Sequence, residues 1–390
     1  MIAIKEAFSI LEATSIPLKE QEVSLDKGLS LVLAETVFSP INMPPFRQSN
    51  MDGYALALYD GLDYTLVGEI KAGDSNAIEL QPGQAIKIFT GAAVPDAAQA
   101  VIQIEKVTTS GSQLFLEEPV IPETNVRPMG SQILKGAIAL EKGTLLNPAA
   151  LGFLAGLGFT SVKVYQKPSI GIVITGNELV PAGQPLPHGK VYESNALMLQ
   201  MALRNEQFED VSLYQVQDDF ESTKSVLEKA IEANDVVLIS GGISVGDYDF
   251  VGRALESLQV ETLFYKVNQK PGKPLLVGKK NDKMIFALPG NPAASLTCFY
   301  IYVKPTLRRI AGNKVTYASR VHRSLAHDYK VNNSRDQFLK ATAVGEEVTL
   351  LSHQDSSMLD SFALANALVY LPNGNYSLAL GVTVAVYLLH

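Results

Sequence analysis

The 390-residue chain is 47% hydrophobic and 18% charged, an ordinary composition for a soluble globular protein, and its length calls for about two to four domains. A net charge of −8 argues against general nucleic-acid binding, the single cysteine, Cys298, excludes an intrachain disulfide, and five scattered histidines offer no spacing suited to structural zinc. No apolar run approaches the ~20 residues of a membrane span and the first residues lack a signal-peptide core, so the expectation is a cytoplasmic protein without membrane contact.

The spacing of Ile4, Ala7, Phe8 and Leu11 predicts a helix over residues 4–13, and residues 29–37 read as extended. A polar loop with Asp52 beside Gly53 follows, and short alternating strands at 64–70, 85–89 and 100–107 predict a small β-rich module, with Thr90-Gly91-Ala92 as a turn able to bind an anion. A small-residue helix over 149–158 and a strand over 161–165 lead to Lys167-Pro168, where a domain boundary is placed. Beyond it strands and helices alternate: strand 170–175, helix 195–205, strand 211–216, helix 222–233 and strand 236–240. Such alternation predicts right-handed crossovers and a parallel sheet, with ligands at the carboxyl ends of its strands.

Chemistry gathers at those ends. Val236 to Ser240 is an unbroken apolar run of the kind buried on both faces of a sheet. Gly241, Gly242 and Gly246 then allow a tight turn whose N–H groups approach an anion, before a helix over 250–258. Three successive strands each deliver acid to the edge: Glu178 after the first, Asp218-Asp219 after the second, Asp249 after the third. Asp218 or Asp219 could equally be a helix cap, but three acids beside a phosphate cradle favour a cation between them, with Asp249, Asp218 and Glu178 as candidate Mg²⁺ ligands. Gly241, Gly242 and Ser244 are candidates for holding the phosphate, and Lys266, Lys270 and Lys273, on a stretch stiffened by Pro271 and Pro274, are candidates for oxyanion binding. Pro289-Gly290-Asn291-Pro292 forms rigid turns before an apolar helix over 294–310.

Six motifs taken in order, Ser-Asn-Met-Asp-Gly-Tyr-Ala (49–55), Thr-Gly-Ala (90–92), Thr-Gly-Asn-Glu-Leu (175–179), Ser-Gly-Gly-Ile-Ser-Val-Gly-Asp-Tyr-Asp (240–249), Lys-Pro-Gly-Lys-Pro (270–274) and Pro-Gly-Asn-Pro (289–292), resemble those of the MoeA family, the molybdopterin molybdenumtransferases related to the E domain of gephyrin. The resemblance implies an α/β multidomain fold. Residues 1–167 form an N-terminal region with its β-rich module at about 50–140, 168–313 a central three-layer αβα domain of the MogA/MoaB type, and 314–390 a C-terminal β-barrel. It implies insertion of molybdate into adenylylated molybdopterin with release of AMP, dependence on Mg²⁺, and a homodimer whose site is shared between subunits. A molybdopterin adenylyltransferase and acceptor molybdoenzymes are candidate partners. The family's functional positions fall on Asp52, Thr90, Glu178, Asp218, Asp249, Lys266, Lys270, Pro289, Pro292 and Ser356. Two positions depart from the pattern. Gln132 stands where an acid is usual, and Lys340 replaces an expected arginine, so an oxyanion contact there is made without a bidentate fork. The alternatives are an adenylyltransferase-like enzyme, which shares only the central domain, and a gephyrin-like scaffold or cofactor-binding module.

Overall fold

The computed structural model describes residues 1–74, 78–243, 250–314 and 320–389. The chain divides into two units, one built from Met1–Gln21, Ser30–Val32 and Val164–His390, the other from Glu22–Leu29 and Leu33–Lys163.

At the centre of the first unit is a six-stranded sheet in the spatial order Val211–Val216, Ile170–Thr175, Val236–Ser240, Lys283–Leu288, Leu276–Lys280, Glu261–Tyr265. The first four strands are parallel, as the alternation predicts. Their side chains explain the unbroken apolar runs. Ile172, Ile174 and Leu238 pack into a layer with Leu199 and Leu203 of helix Asn195–Asn205 and with Phe299 and Leu307, while Val173, Val237 and Ile239 pack on the other face against Leu227 of Phe220–Ala233 and Val251 of Phe250–Ser257. With both faces covered, a polar side chain along these strands needs a partner, and the buried Thr175 and Ser240 at their carboxyl ends each have one. The result is the three-layer αβα arrangement.

Two features differ from the sequence-based reading. Leu276–Lys280 is a further strand, antiparallel to Lys283–Leu288 across a turn at Asn281-Asp282, with Asn281 at φ +54°. A short polar turn of this kind reverses the chain directly and needs no crossover helix. The helix expected over 294–310 runs as Pro292–Cys298, a π-helical turn at Phe299–Val303, and Lys304–Ile310. Pro305 has no N–H to return to the preceding turn, so the ladder is interrupted just upstream of it.

The C-terminal strands Asp336–Val344, Glu347–Leu350, Arg320–Leu325, Thr383–Leu388 and Ala367–Leu371 pair in that order, and the last pairs again with the first, closing a barrel filled by Leu339, Ala341, Val348, Val369 and Val386. Gln269–Lys270 adds to it in parallel, with Gln269 opposite Asp336 and Lys270 opposite Gln337. The lysine stretch is thereby anchored on the barrel.

The second unit is β-rich. Its six-stranded sheet runs in the order Ala100–Gln103, Gly53–Leu56, Gln84–Ile88, Asp63–Ile70, Gln113–Leu116, Val107–Ser110, with one apolar layer around Ile86, Ile88 and Val101 and another around Tyr54, Tyr64 and Leu114.

Candidate active site

Parallel register brings the carboxyl ends of four strands level, with Thr175 opposite Val216, Ile174 opposite Ser240 and Ser240 opposite Leu288. The loops that leave them line a cleft of about 760 Å³ containing Glu178, Asp218, Gly241, Gly242, Lys266, Lys273, Pro289 and Pro292. Sequence reasoning named all eight. A smaller cavity of about 230 Å³ lies by Asp235 and Pro168, at the amino ends of the strands, where Lys19 pairs with Asp235. The chemistry belongs to the larger cleft.

The structure separates the two adjacent acids. Asp219 caps helix Phe220–Ala233 by accepting the Ser222 N–H at 2.9 Å, and that N–H holds its carboxyl below the usual carboxylate range. Asp218 faces the cleft instead. One of its oxygens accepts the Thr175 hydroxyl at 2.9 Å and the other the Asn177 N–H at 3.0 Å, while its own N–H donates to the Asn177 side-chain oxygen at 3.1 Å. This double clasp ties the first strand end to the second. Each oxygen keeps a further lone pair, and Glu178 lies exposed on the same wall.

The glycine turn is sterically required. Gly241 has φ +96°, and a Cβ there would stand 2.6 Å from the Thr175 carbonyl oxygen; Gly242 has φ +64°, and its Cβ would stand 2.6 Å from a Val251 methyl. Ser244 and Asp249 lie outside the described residues, so the remainder of the expected phosphate turn and the third acid are not placed.

Two of the three lysines meet in the cleft. Lys266 donates its N–H to the Leu275 carbonyl and Val267 donates to the Lys273 carbonyl, each at 3.0 Å, which sets Lys266 and Lys273 on facing limbs of one loop. The Lys266 ammonium sits 4.6 Å from the centre of the Tyr265 ring. Lys270, at the tip of that loop, is exposed and paired to the barrel, outside the cleft lining. Ser356 also stands just behind the lining, where Ser357 takes the wall position; the Ser356 hydroxyl accepts from Asn291 at 2.8 Å and its carbonyl accepts the Ala294 N–H at 3.1 Å.

One residue that sequence reasoning passed over is Asn195. Its amide N–H₂ donates to the Ser240 hydroxyl and to the Gly290 carbonyl, both at 2.8 Å, joining the third and fourth strand ends. Among the described residues its side-chain oxygen is buried without a partner in a wall of the cleft, and the only sequence signal was a Ser-Asn pair at a helix start.

In the second unit Asp52 and Thr90 are brought together. One Asp52 oxygen accepts the Thr90 N–H at 2.8 Å and the Thr90 hydroxyl at 2.7 Å, and these bonds, the backbone one foremost, lower the Asp52 pKa.

Comparison with known proteins accounts for nearly the whole length. Residues 2–158 match the MoeA N-terminal region, 171–309 a probable molybdopterin binding domain, and 323–389 the MoeA C-terminal region. The chain belongs to the MoeA family. A molybdopterin molybdenumtransferase of Staphylococcus epidermidis is 32% identical, with 99% of this chain and 95% of that protein covered, and one of Staphylococcus aureus is 30% identical over the same shares. Among solved structures, the MoeA molybdopterin biosynthesis protein of Pyrococcus horikoshii superposes with a TM-score of 0.86 at 32% identity, covering 100% of this chain and 99% of that one. MoeA enzymes act in molybdenum cofactor biosynthesis, and the six motifs read from the sequence all fall within the matched ranges 2–158 and 171–309.

Proposed function

We propose that this MoeA enzyme transfers molybdenum from molybdate to adenylylated molybdopterin, releasing AMP and forming molybdenum cofactor, with Mg²⁺ at the cleft. The observation that carries this reading is the pairing of opposite charges on one cleft: Glu178 and Asp218 on one wall, Lys266 and Lys273 on another, with the Gly241-Gly242 turn between the strand ends. A phosphoanhydride and a tetraoxo dianion need cationic partners, and acids beside them need a cation of their own. Two carboxylates with open lone pairs, completed by substrate phosphate and water, suit Mg²⁺, whereas among the described residues no cluster of three or more His, Cys, Asp or Glu forms a closed metal cage. When bound, Mg²⁺ would neutralise the charge that builds up as AMP departs.

The chain's own groups then have separable tasks. Asp218 holds the Thr175–Asn177 limb, Gly241 and Gly242 give the phosphates close access to backbone, and Lys266 and Lys273 attract oxyanions, with Lys270 at the approach. Asp249 and Ser244 are assigned to the metal and the phosphate on the motif alone. The only thiol, Cys298, is buried and its pKa is pushed up by that burial, so the dithiolene sulfurs of the substrate are the ligands that take the metal. We place Asp52 and Thr90 over the partner's cleft in a cytoplasmic homodimer, and divide the chain functionally at 168 and 313. Among the described residues no helix is long and apolar enough to cross a membrane.

The test is to incubate the protein with adenylylated molybdopterin, Mg²⁺ and molybdate. AMP and active cofactor should appear together, and omission of molybdate should abolish cofactor formation. ATP turnover without molybdate would instead favour an adenylyltransferase, and binding without turnover a carrier or scaffold.

A further inference from the structure

We infer that Lys340 is a positioning residue, whose buried ammonium holds the barrel segment 353–358 in the shape that places Ser356 against Asn291 and Ser357 in the cleft wall. Lys340 lies on barrel strand Asp336–Val344 and is 3% exposed. Its Nζ donates to the carbonyls of His353 at 2.6 Å, Met358 at 2.9 Å and Asp355 at 3.3 Å. Its backbone is bound to the same segment: its N–H donates to the Gln354 side-chain oxygen at 2.9 Å, its carbonyl accepts the Gln354 amide at 2.8 Å and also the Leu351 N–H at 3.0 Å. His353 is at φ +55°, and of the three inward carbonyls that of His353 also accepts the Ser361 hydroxyl at 2.8 Å and that of Asp355 the Met358 N–H at 3.2 Å, so the ammonium shares two acceptors with the segment itself and ties all three to the strand. A lysine fits because three N–H bonds diverge from one small centre; the planar guanidinium of arginine cannot converge on the same three carbonyls.

The far side of the segment meets the cleft. Ser356 is held from there by Asn291 and the Ala294 N–H, and Ser357 lines the cavity beside Pro289 and Pro292. Lys340 and the strand-end turn therefore clamp one segment from opposite sides, and the ammonium is spent on carbonyls instead of on an oxyanion. Burial lowers the Lys340 pKa, opposed by the charges of Asp360 and Asp355.

This inference rests on the proposed activity only in its kinetic consequence. In the wild-type background, Lys340→Met, Lys340→Arg, Ser356→Ala and the double variant Lys340→Met/Ser356→Ala would be compared for kcat and for the KM of molybdate at low and high ionic strength, with hydrogen exchange followed over 351–359. Lys340→Met should raise the molybdate KM about tenfold with kcat within about twofold, independently of salt, and should accelerate exchange at 353–358. The double variant should be no worse than the more severe single change, because both act through one segment. Lys340→Arg should also raise KM. Equal or better binding in Lys340→Arg, a salt-dependent loss in Lys340→Met, or multiplied effects in the double variant would each overturn the inference in favour of direct oxyanion contact. If Lys340→Met fails to fold, Lys340→Gln, which keeps a polar donor at the site but not the three-way ammonium, replaces it; unchanged exchange at 353–358 there overturns the inference. Absence of AMP release by the wild-type protein would defeat the activity and leave the exchange result standing.

Discussion

Replacing Asp218 by asparagine exchanges one oxygen for an amino group at nearly constant volume, so it isolates charge from packing. Both carboxylate oxygens are engaged, one with the Thr175 hydroxyl and one with the Asn177 N–H. The backbone N–H is fixed in direction and the hydroxyl can rotate. The amide oxygen therefore faces Asn177 and the amino group faces Thr175, whose oxygen turns to accept, and no bond is lost. Hydrogen bonds to an ionised acceptor contribute about 1.5–3 kcal/mol and neutral ones about 0.5–1.5, so two such exchanges at a half-exposed site cost about 1–2 kcal/mol. The fold survives that loss. Turnover should fall by about 100-fold or more, the scale on which removal of one preorganised charge partner is felt. Urea unfolding and AMP release over a Mg²⁺ titration measure the two effects on one preparation. Full turnover at saturating Mg²⁺ would refute the metal role, and an unchanged unfolding midpoint would refute the clasp.

Gly241→Ala should destabilise by about 2–3 kcal/mol through its positive φ and its approach to the Thr175 carbonyl, and should weaken substrate binding as well; a wild-type midpoint in denaturant would show that the turn has slack. Lys283→Met removes three bonds from Nζ to the carbonyls of Ile231, Glu232 and Asn234 at the end of helix Phe220–Ala233, and should cost about 1–2 kcal/mol with no change in the KM for molybdate, read by denaturation and kinetics together. The Asp52 carboxyl should titrate below the usual aspartate value of 3.8, so its bonds to Thr90 contribute fully above the unfolded pKa and are lost as pH falls through the lower folded one; in Thr90→Ala the NMR titration midpoint should rise part of the way, since the backbone bond remains. Coexpressed Asp52→Asn and Asp218→Asn chains should show roughly a quarter of wild-type activity, because half of the dimers then keep one intact shared site; activity no higher than in either single variant, with exchange of subunits demonstrated, would place each site within one chain.

The sequence by itself determined the central layers and the edge at which to look. The apolar runs 170–175 and 236–240 are strands buried on both faces, as a sheet covered by helices on either side accommodates, and their boundaries are local facts of composition. Glycine after a strand and an acid after each of three strands are likewise properties of neighbouring residues. Pairing across the fold is not. Asp218 and Asp219 are chemically identical in the sequence, and only the clasp on Thr175 and Asn177 and the cap on Ser222 tell them apart. Asn195 meets Ser240 and Gly290 across 45 and 95 residues of chain, and Lys340 meets the carbonyls of His353, Asp355 and Met358 across 13, 15 and 18. In the sequence Lys340 stood out only as a lysine where the family resemblance expects an arginine. Its task was decided by burial, which makes an ammonium take whatever acceptors enclose it, and here those are the backbone carbonyls of the serine segment.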